Sequence, residues 1–316
     1  MKILVIGGTG TVGSQVVREL LAHKVTVKVL TRSAEKAKGI PAGAQGVIGD
    51  LLDPRRVRSV FKGLDGVFML IAVSTTETHE GLMALNGMRM AGVKRLAYMS
   101  VHNLEQALHL PHFGSKLPIE NVVKSSGIPY TILRPNNFFQ NDYLFKDAML
   151  KYNIYPQPIG DIGLSRVDVR DIAEAAAIVL TTTGHEGQTY NVVGPQVHTG
   201  KSTAEGWSRA LGKTVAYGGN DLDAWEQQSL EFLPAWMVFD FRLMYAFFQD
   251  KGLKATPTDI ESQTKLLGHA PRSFDDFAVE TAKLWRGSDE KSFENVNFKQ
   301  EHRVRRGPSR RRRMSS

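Results

Sequence analysis

The first 135 residues alternate two hydrophobic rhythms. Short, nearly continuous apolar runs occur at Lys2 to Ile6, Val25 to Leu30, Gly46 to Ile48, Gly66 to Ile71, Arg95 to Met99 and Pro129 to Leu133. Between them, apolar residues recur at helical spacing, as Val12, Val16, Val17, Leu20 and Leu21, as Val57, Val60 and Phe61, and as Leu82, Leu85 and Met88. Runs without polar alternation suit strands covered on both faces, and the intervening amphipathic helices supply the cover. The pattern predicts six parallel strands in an α/β fold with a doubly wound sheet.

After residue 150 the rhythm loosens. A helix over Asp171 to Leu180, carrying Ile172, Ala175, Ala176 and Val179, a strand at Gln188 to Val193 and further helical segments predict a smaller α/β substrate or partner lobe over 151–290. It adjoins a nucleotide-binding domain over 1–150 in one compact unit. Thr258-x-x-Glu261 and Ser273-x-x-Asp276 read as capping boxes at the entrances of the last two core helices. Beyond about Arg286 the periodicity ends, and residues 291–316 read as a disordered basic tail.

Composition removes several classes of chemistry. The chain has 316 residues, 42% hydrophobic and 23% charged, which suits a globular protein. With no cysteine, disulfides, thiolate nucleophiles and Cys-ligated metals are excluded. The longest strongly apolar stretch, near Val67 to Val73, is far short of the roughly 20 residues that span a bilayer, and no secretory leader pattern opens the chain. A cytoplasmic protein without membrane contact is expected. The net charge of +8 suggests nucleic acid until it is located, for +7 of it lies in residues 291–316. Nucleic-acid binding is therefore expected only nonspecifically, through RVRRGPSRRRR. No metal-ligand spacing, GxSxG elbow or Walker lysine motif occurs, which sets aside metal, hydrolase and NTPase readings.

The sharpest motif is VIGGTGTVGSQVV, in which Gly7, Gly10 and Gly13 follow the first strand and open the first helix. Glycines there permit a tight turn, close approach of a pyrophosphate and close helix–strand packing, while the helix N-terminus offers N–H groups to an anion. A dinucleotide cofactor is expected on Gly7, Thr9, Gly10, Thr11, Val12 and Gly13. The second strand ends Leu30-Thr31-Arg32-Ser33, without the carboxylate that would bind the ribose hydroxyls of NAD. Arg32 can pair with a 2′-phosphate, which favours NADP(H), with NAD(H) as the alternative. Asp50 and Leu51, after the third strand, are expected at the adenine, unless Asp50 only caps the helix that begins near Pro54.

Together, GGTGTVG, TRS, GDLLD, YMSVHN, HFGSKLPIE and LRPNNFFQN resemble the NmrA-like family of atypical short-chain dehydrogenases/reductases over nearly all of residues 1–285. The resemblance implies a Rossmann-type fold and NAD(P) binding. It implies one of two functions, an NAD(P)H-dependent quinone reductase or a catalytically silent sensor of the nicotinamide pool. Ordinary short-chain dehydrogenases carry Tyr-x-x-x-Lys on the helix after the fifth strand, the tyrosine protonating a carbonyl oxygen. This chain has His112 in that place, followed by Lys116 and Glu120 at helical spacing.

Lys116 is expected to hold the nicotinamide ribose, the alternative being a surface ion pair with Glu120. His112 is the candidate proton donor, or else a capping or solvated residue. Ser100 ends the fifth strand where ligands bind in such sheets. Phe138 and Phe139, after Arg134-Pro135, are expected to wall a flat substrate, with the alternative that at least one is core. The aromatic stretch at residues 232–248 could roof the pocket, pair with a second copy or sit in the core. These features favour hydride transfer from NADPH to a small planar acceptor such as a quinone. The rival is a redox sensor acting through a protein partner.

Overall fold

The computed structural model describes residues 1–286; the expected tail at 291–316 lies outside the described residues. The first half forms β1 (Lys2–Ile6), α1 (Thr11–Ala22), β2 (Thr26–Thr31), α2 (Ala34–Ala37), β3 (Gln45–Ile48), α3 (Pro54–Val60), β4 (Gly66–Met69), α4 (Glu77–Ala91) and β5 (Leu96–Met99). It continues through α5 (Pro111–Gly114) and α6 (Lys116–Ser125) into β6 (Tyr130–Pro135). All six strands expected from the apolar runs are present and parallel.

The sheet holds a seventh strand, in the order β3-β2-β1-β4-β5-β6-β8, where β8 is Gln188–Val192. The division at residue 150 therefore needs correction, since this strand pairs in parallel with β6, with Thr131 opposite Gln188. The helix before it, α8 (Val169–Thr181), also belongs to the sheet layers. Parallel strands are joined by long crossovers, so a strand's partner cannot be read from its neighbours in sequence.

Alternation along β1 explains the two layers. Ile3 and Val5 face one side, where Val12, Val16, Val17 and Leu20 of α1 meet Ile172, Ala175, Ala176 and Val179 of α8. The alanines let these helices approach closely, and each larger side chain removed from water contributes about 1.5–3 kcal/mol. Leu4 and Ile6 face the other side, covered by Val57 of α3, Leu85 and Met88 of α4, and Ile119 and Val123 of α6.

The lobe is built from α7 (Lys146–Lys151), α9 (Gly200–Leu211), α10 (Leu222–Ser229), α11 (Ala235–Lys251) and a parallel pair of β7 (Ile154–Tyr155) and β9 (Ala216–Tyr217). Its core is aromatic, with Phe139, Trp207, Phe248, Phe274 and Phe277 in one cluster. Asn136, just past β6, fastens it to the sheet, its Nδ2 donating to the Leu253 carbonyl at 2.7 Å and meeting His102 Nδ1 at 2.9 Å.

The expected cap at Thr258 is displaced by two residues. Thr256 caps α12 (Pro257–Leu267) in a box with Asp259, because Pro257 suits the first helical position, where no N–H is needed. At the second expected box Ser273 caps the helical stretch 274–286, its Oγ accepting from the Asp276 N–H at 3.1 Å and donating to Asp276 Oδ2 at 2.6 Å. Among the described residues no helix is long and apolar enough to cross a membrane.

Candidate cofactor and active site

β1 and β4 are neighbours at the point where the strand order reverses, and the crevice beyond their C-terminal ends is where open α/β sheets bind ligands. The glycine turn sits there. Gly7 has φ of +79°, and a Cβ on it would lie 2.8 Å from the Leu70 carbonyl oxygen. A Cβ on Gly13 would meet the Gly7 oxygen at 2.2 Å, so only glycine lets α1 start this close to β1. Gly10 differs, because a Cβ there would meet only the Gly7 oxygen, at 3.4 Å, and otherwise enter open space. Thr9, Gly10 and Thr11 are exposed, whereas Val12 turns into the core and can offer a ligand only its backbone. No side chain caps α1 and its first turn holds no acid, so its N–H groups face the crevice free to receive an anion. These residues fit a pyrophosphate.

Ser33 N–H donates to Thr31 Oγ1 at 3.3 Å, and the Ser33 side chain caps α2, which pins the turn from which Arg32 projects. Arg32 is exposed and makes no ion pair within the described residues. Asp50 does not cap α3; that role falls to Asp53, while Asp50 Oδ1 accepts from the Leu52 N–H at 2.9 Å. Leu51 points into the core beside Leu30 and Val57.

Lys116 is buried at the start of α6, and its partner is Glu77, at the start of α4, rather than Glu120. Glu77 Oε2 also accepts from Ser115 Oγ at 3.1 Å, and Thr78 Oγ1 donates to the Ser115 carbonyl at 2.8 Å. Glu120 is drawn away by Arg134, which reaches it through Nε at 2.9 Å and Nη2 at 2.7 Å and also binds Glu105. Burial pushes the Glu120 carboxyl up, but the bonds and charge of Arg134, with the bond from Lys124, outweigh it and hold the group below the usual carboxylate range. Tyr98 Oη lies buried with no hydrogen-bond partner among the described residues, and burial together with the charges of Glu77 and Glu120 raises its pKa well above the ordinary value.

His112 is neither solvated nor a simple cap. Asp240 of α11 accepts from its backbone N–H at 3.1 Å and binds Nδ1 at 2.6 Å, and the Phe241 ring stands edge-on, 5.6 Å away. A carboxylate on Nδ1 fixes that nitrogen as the donor and leaves Nε2 as the free end. Asp240 carried no signal in the sequence beyond its position in an aromatic helix.

Phe139 requires a correction. It has no exposed surface and lies in the lobe core, stacked on Phe277 at 5.5 Å, so it cannot wall a substrate. Phe138 is partly exposed. Residues 232–248 divide in the same way, with Tyr245, Phe247 and Phe248 buried, while Phe232, Trp236 and Phe239 are 80%, 40% and 58% exposed.

The NmrA-like family matches residues 1–288. An NAD(P)H azoreductase of Xenophilus azovorans is 32% identical over 280 residues, covering 87% of this chain and 96% of that protein. The NADPH complex of the NADPH-dependent quinone oxidoreductase QOR2 of Escherichia coli superposes with a TM-score of 0.77 at 24% identity, covering 88% of this chain and 99% of the other. NmrA, a negative transcriptional regulator solved with NADP, gives a TM-score of 0.73 at 17% identity, covering 91% and 97%.

Proposed function

The chain belongs to the NmrA-like family, and from that premise we propose that it is an NADPH-dependent reductase delivering hydride to a small planar acceptor of the quinone type. The observation that carries this reading is the pairing, at one edge of the sheet, of an open glycine turn with a buried lysine that has ammonium protons to spare. The names of relatives point the same way, an NAD(P)H azoreductase and an NADPH-dependent quinone oxidoreductase among them.

Bound NADPH supplies the hydride. The backbone from Gly7 to Gly13, including Thr9, Gly10, Thr11 and Val12, holds the pyrophosphate. Arg32 takes the 2′-phosphate, and Asp50 with the edge of Leu51 borders the adenine. Lys116 holds the nicotinamide ribose.

The acceptor gains a hydride and then one proton, becoming a hydroquinone if it is a quinone, while the cofactor leaves as NADP+. His112 Nε2, its ring steadied by Asp240, is the candidate donor of that proton. The bonds that Asp240 accepts set α11 beside α5; partly exposed Phe138 is the candidate apolar wall for the acceptor, and Trp236, one turn before Asp240, offers a second exposed ring. A cytoplasmic location, with NADPH at hand, fits this role.

The test is to incubate the protein with NADPH and a panel of quinones and follow loss of the reduced cofactor. Turnover with at least one quinone is expected, with NADPH bound more tightly than NADH. Tight binding of NADPH without oxidation by any acceptor would replace this reading with that of a cofactor-sensing regulator.

A further inference from the structure

Lys116 and Glu77 are 39 residues apart in sequence and almost wholly removed from solvent, their side chains 9% and 1% exposed. Burying two charges costs desolvation that their attraction barely repays, so such a pair is a poor device for stability alone. Stability between α4 and α6 is already provided by Leu85, Met88, Ile119 and Val123, which share one apolar core. Lys124, two turns further along α6, shows an ordinary alternative, with a 43% exposed side chain and a loose contact to Glu120 at 3.1 Å.

We propose that Glu77 is a positioning residue for cofactor binding, whose carboxylate takes one ammonium proton of Lys116 and aims the other two at the paired hydroxyls of the nicotinamide ribose. Lysine carries three donors and no acceptor, and Glu77 is the only hydrogen-bond partner of this ammonium among the described residues. The grip extends to the backbone. Ser115 Oγ donates to the other oxygen of Glu77, and Thr78 holds the Ser115 carbonyl, so the first turn of α4 fixes the residue before Lys116 as well as the tip of the lysine.

Glu77 also stands at the correct end of the sheet. The segment that leads from β4 to α4 begins at Leu70, whose carbonyl oxygen lies 2.8 Å from where a Cβ on Gly7 of the pyrophosphate turn would stand. One short stretch, residues 70–77, thus runs from the phosphate end of the site to the lysine at its ribose end. Glu77 lies in the first turn of its helix, where the local N–H groups favour an acidic side chain.

The inference rests on the reading of Lys116 as the ribose-binding residue, and the experiment separates the two. NADPH fluorescence titrations and quinone kinetics are run on the full chain for E77Q, E77D, K116M and the double variant E77Q/K116M. E77Q is expected to raise the Kd for NADPH by about tenfold and E77D by less, since the charge is kept but its reach is shortened. K116M raises it at least as much. In the double variant the affinity stays at that of K116M, because with the lysine gone Glu77 has nothing left to aim.

Melting without cofactor is the control for folding. E77Q alone leaves a buried ammonium without its counter-charge and lowers Tm, and the double variant regains part of that loss. A purely structural Glu77 would instead weaken NADPH binding further when combined with K116M. An E77Q Kd within about twofold of wild type, with K116M clearly impaired, overturns the role of Glu77 alone. Wild-type affinity in K116M overturns the lysine assignment, and the role of Glu77 falls with it.

Discussion

Arg166 with Asp142 and Lys116 with Glu77 are both charge pairs withdrawn from water, yet their surroundings are opposite. Arg166 spends every donor. Its Nε reaches Asn137 Oδ1 at 3.0 Å, Nη1 reaches Asp142 Oδ2 at 3.1 Å and Tyr155 Oη at 3.4 Å, and Nη2 reaches the Phe138 carbonyl at 2.8 Å and Asp142 Oδ1 at 2.6 Å. Asp142 accepts in addition from Trp207 Nε1 at 2.9 Å, and the rings of Phe139 and Phe274 lie 5.9 and 5.6 Å from the guanidinium. A saturated network of this kind has nothing to offer a ligand and serves to fix the lobe. Lys116 has one partner among the described residues and two ammonium donors left over. Counting unspent donors distinguishes the charge that shapes the fold from the charge that waits for a substrate.

The contrast is tested most severely at Arg166. Replacing it by Met leaves Asp142 buried without its counter-charge, and a loss of about 3–5 kcal/mol is expected in denaturant unfolding. NADPH affinity, measured on whatever fraction remains folded, should change little. A variant that melts like wild type but binds NADPH poorly would place Arg166 in the site and reverse the comparison.

Acid should act next, at two buried histidines. Burial lowers His102 to about 4 against the pull of Asp259, and burial together with the charge of Arg166 lowers His198 to about 4. Both start from an ordinary value of 6.5, so the unfolded chain takes up protons that the folded chain refuses. Stability from these residues is complete above the unfolded value and is lost as pH falls through the window between the two. The loss approaches about 3 kcal/mol for each histidine. Unfolding curves at a series of pH values should show this, and H198Q should flatten part of the acid limb. A stability that is level across the window would mean that neither ring is held neutral.

At Arg32 the effect moves from stability to binding. This side chain is exposed with no ion-pair partner among the described residues, so Arg32→Glu should leave Tm unchanged. NADPH should bind about tenfold or more weakly, because a bidentate cation is replaced by a charge that repels the 2′-phosphate, while NADH is spared. Equal affinities of the wild type for NADPH and NADH would remove Arg32 from the site.

The same contrast explains which parts could be read from the chain alone. The turn from Gly7 to Gly13 was legible because its constraint is local, a backbone that must bend and approach within seven residues. The strand at 188–192 was recognised but assigned to the lobe, since its pairing with β6 spans more than fifty residues. Spacing along α6 suggested Glu120 as the partner of Lys116, and the helix does place them one turn apart. Which carboxylate the lysine meets was decided instead by Arg134, which claims Glu120, and by α4, which presents Glu77. Asp240 and Asp142 gave no signal, because an isolated acid in an aromatic stretch looks the same whether it faces water or a buried cation. Phe138 and Phe139 are adjacent in sequence and point to different cores.

The smallest effect is expected at His112, and it bears most directly on the chemistry. General acid catalysis by a positioned side chain is typically worth about a hundredfold or more in rate. Hydride addition to a quinone gives an anion stabilised by its aromatic ring, and such a product can draw its proton from water. His112→Ala should therefore lower kcat/KM by less than about tenfold and leave the NADPH Kd unchanged, since the ring is held by Asp240 and not by the cofactor. Lys116→Met, by contrast, should weaken NADPH binding and depress kcat/KM together. If His112→Ala abolishes turnover while Lys116→Met leaves it intact, the roles on this helix are exchanged. His112, aimed by Asp240, would then be the proton donor in the place of a dehydrogenase tyrosine, and the acceptor would be one whose product cannot be left to the solvent.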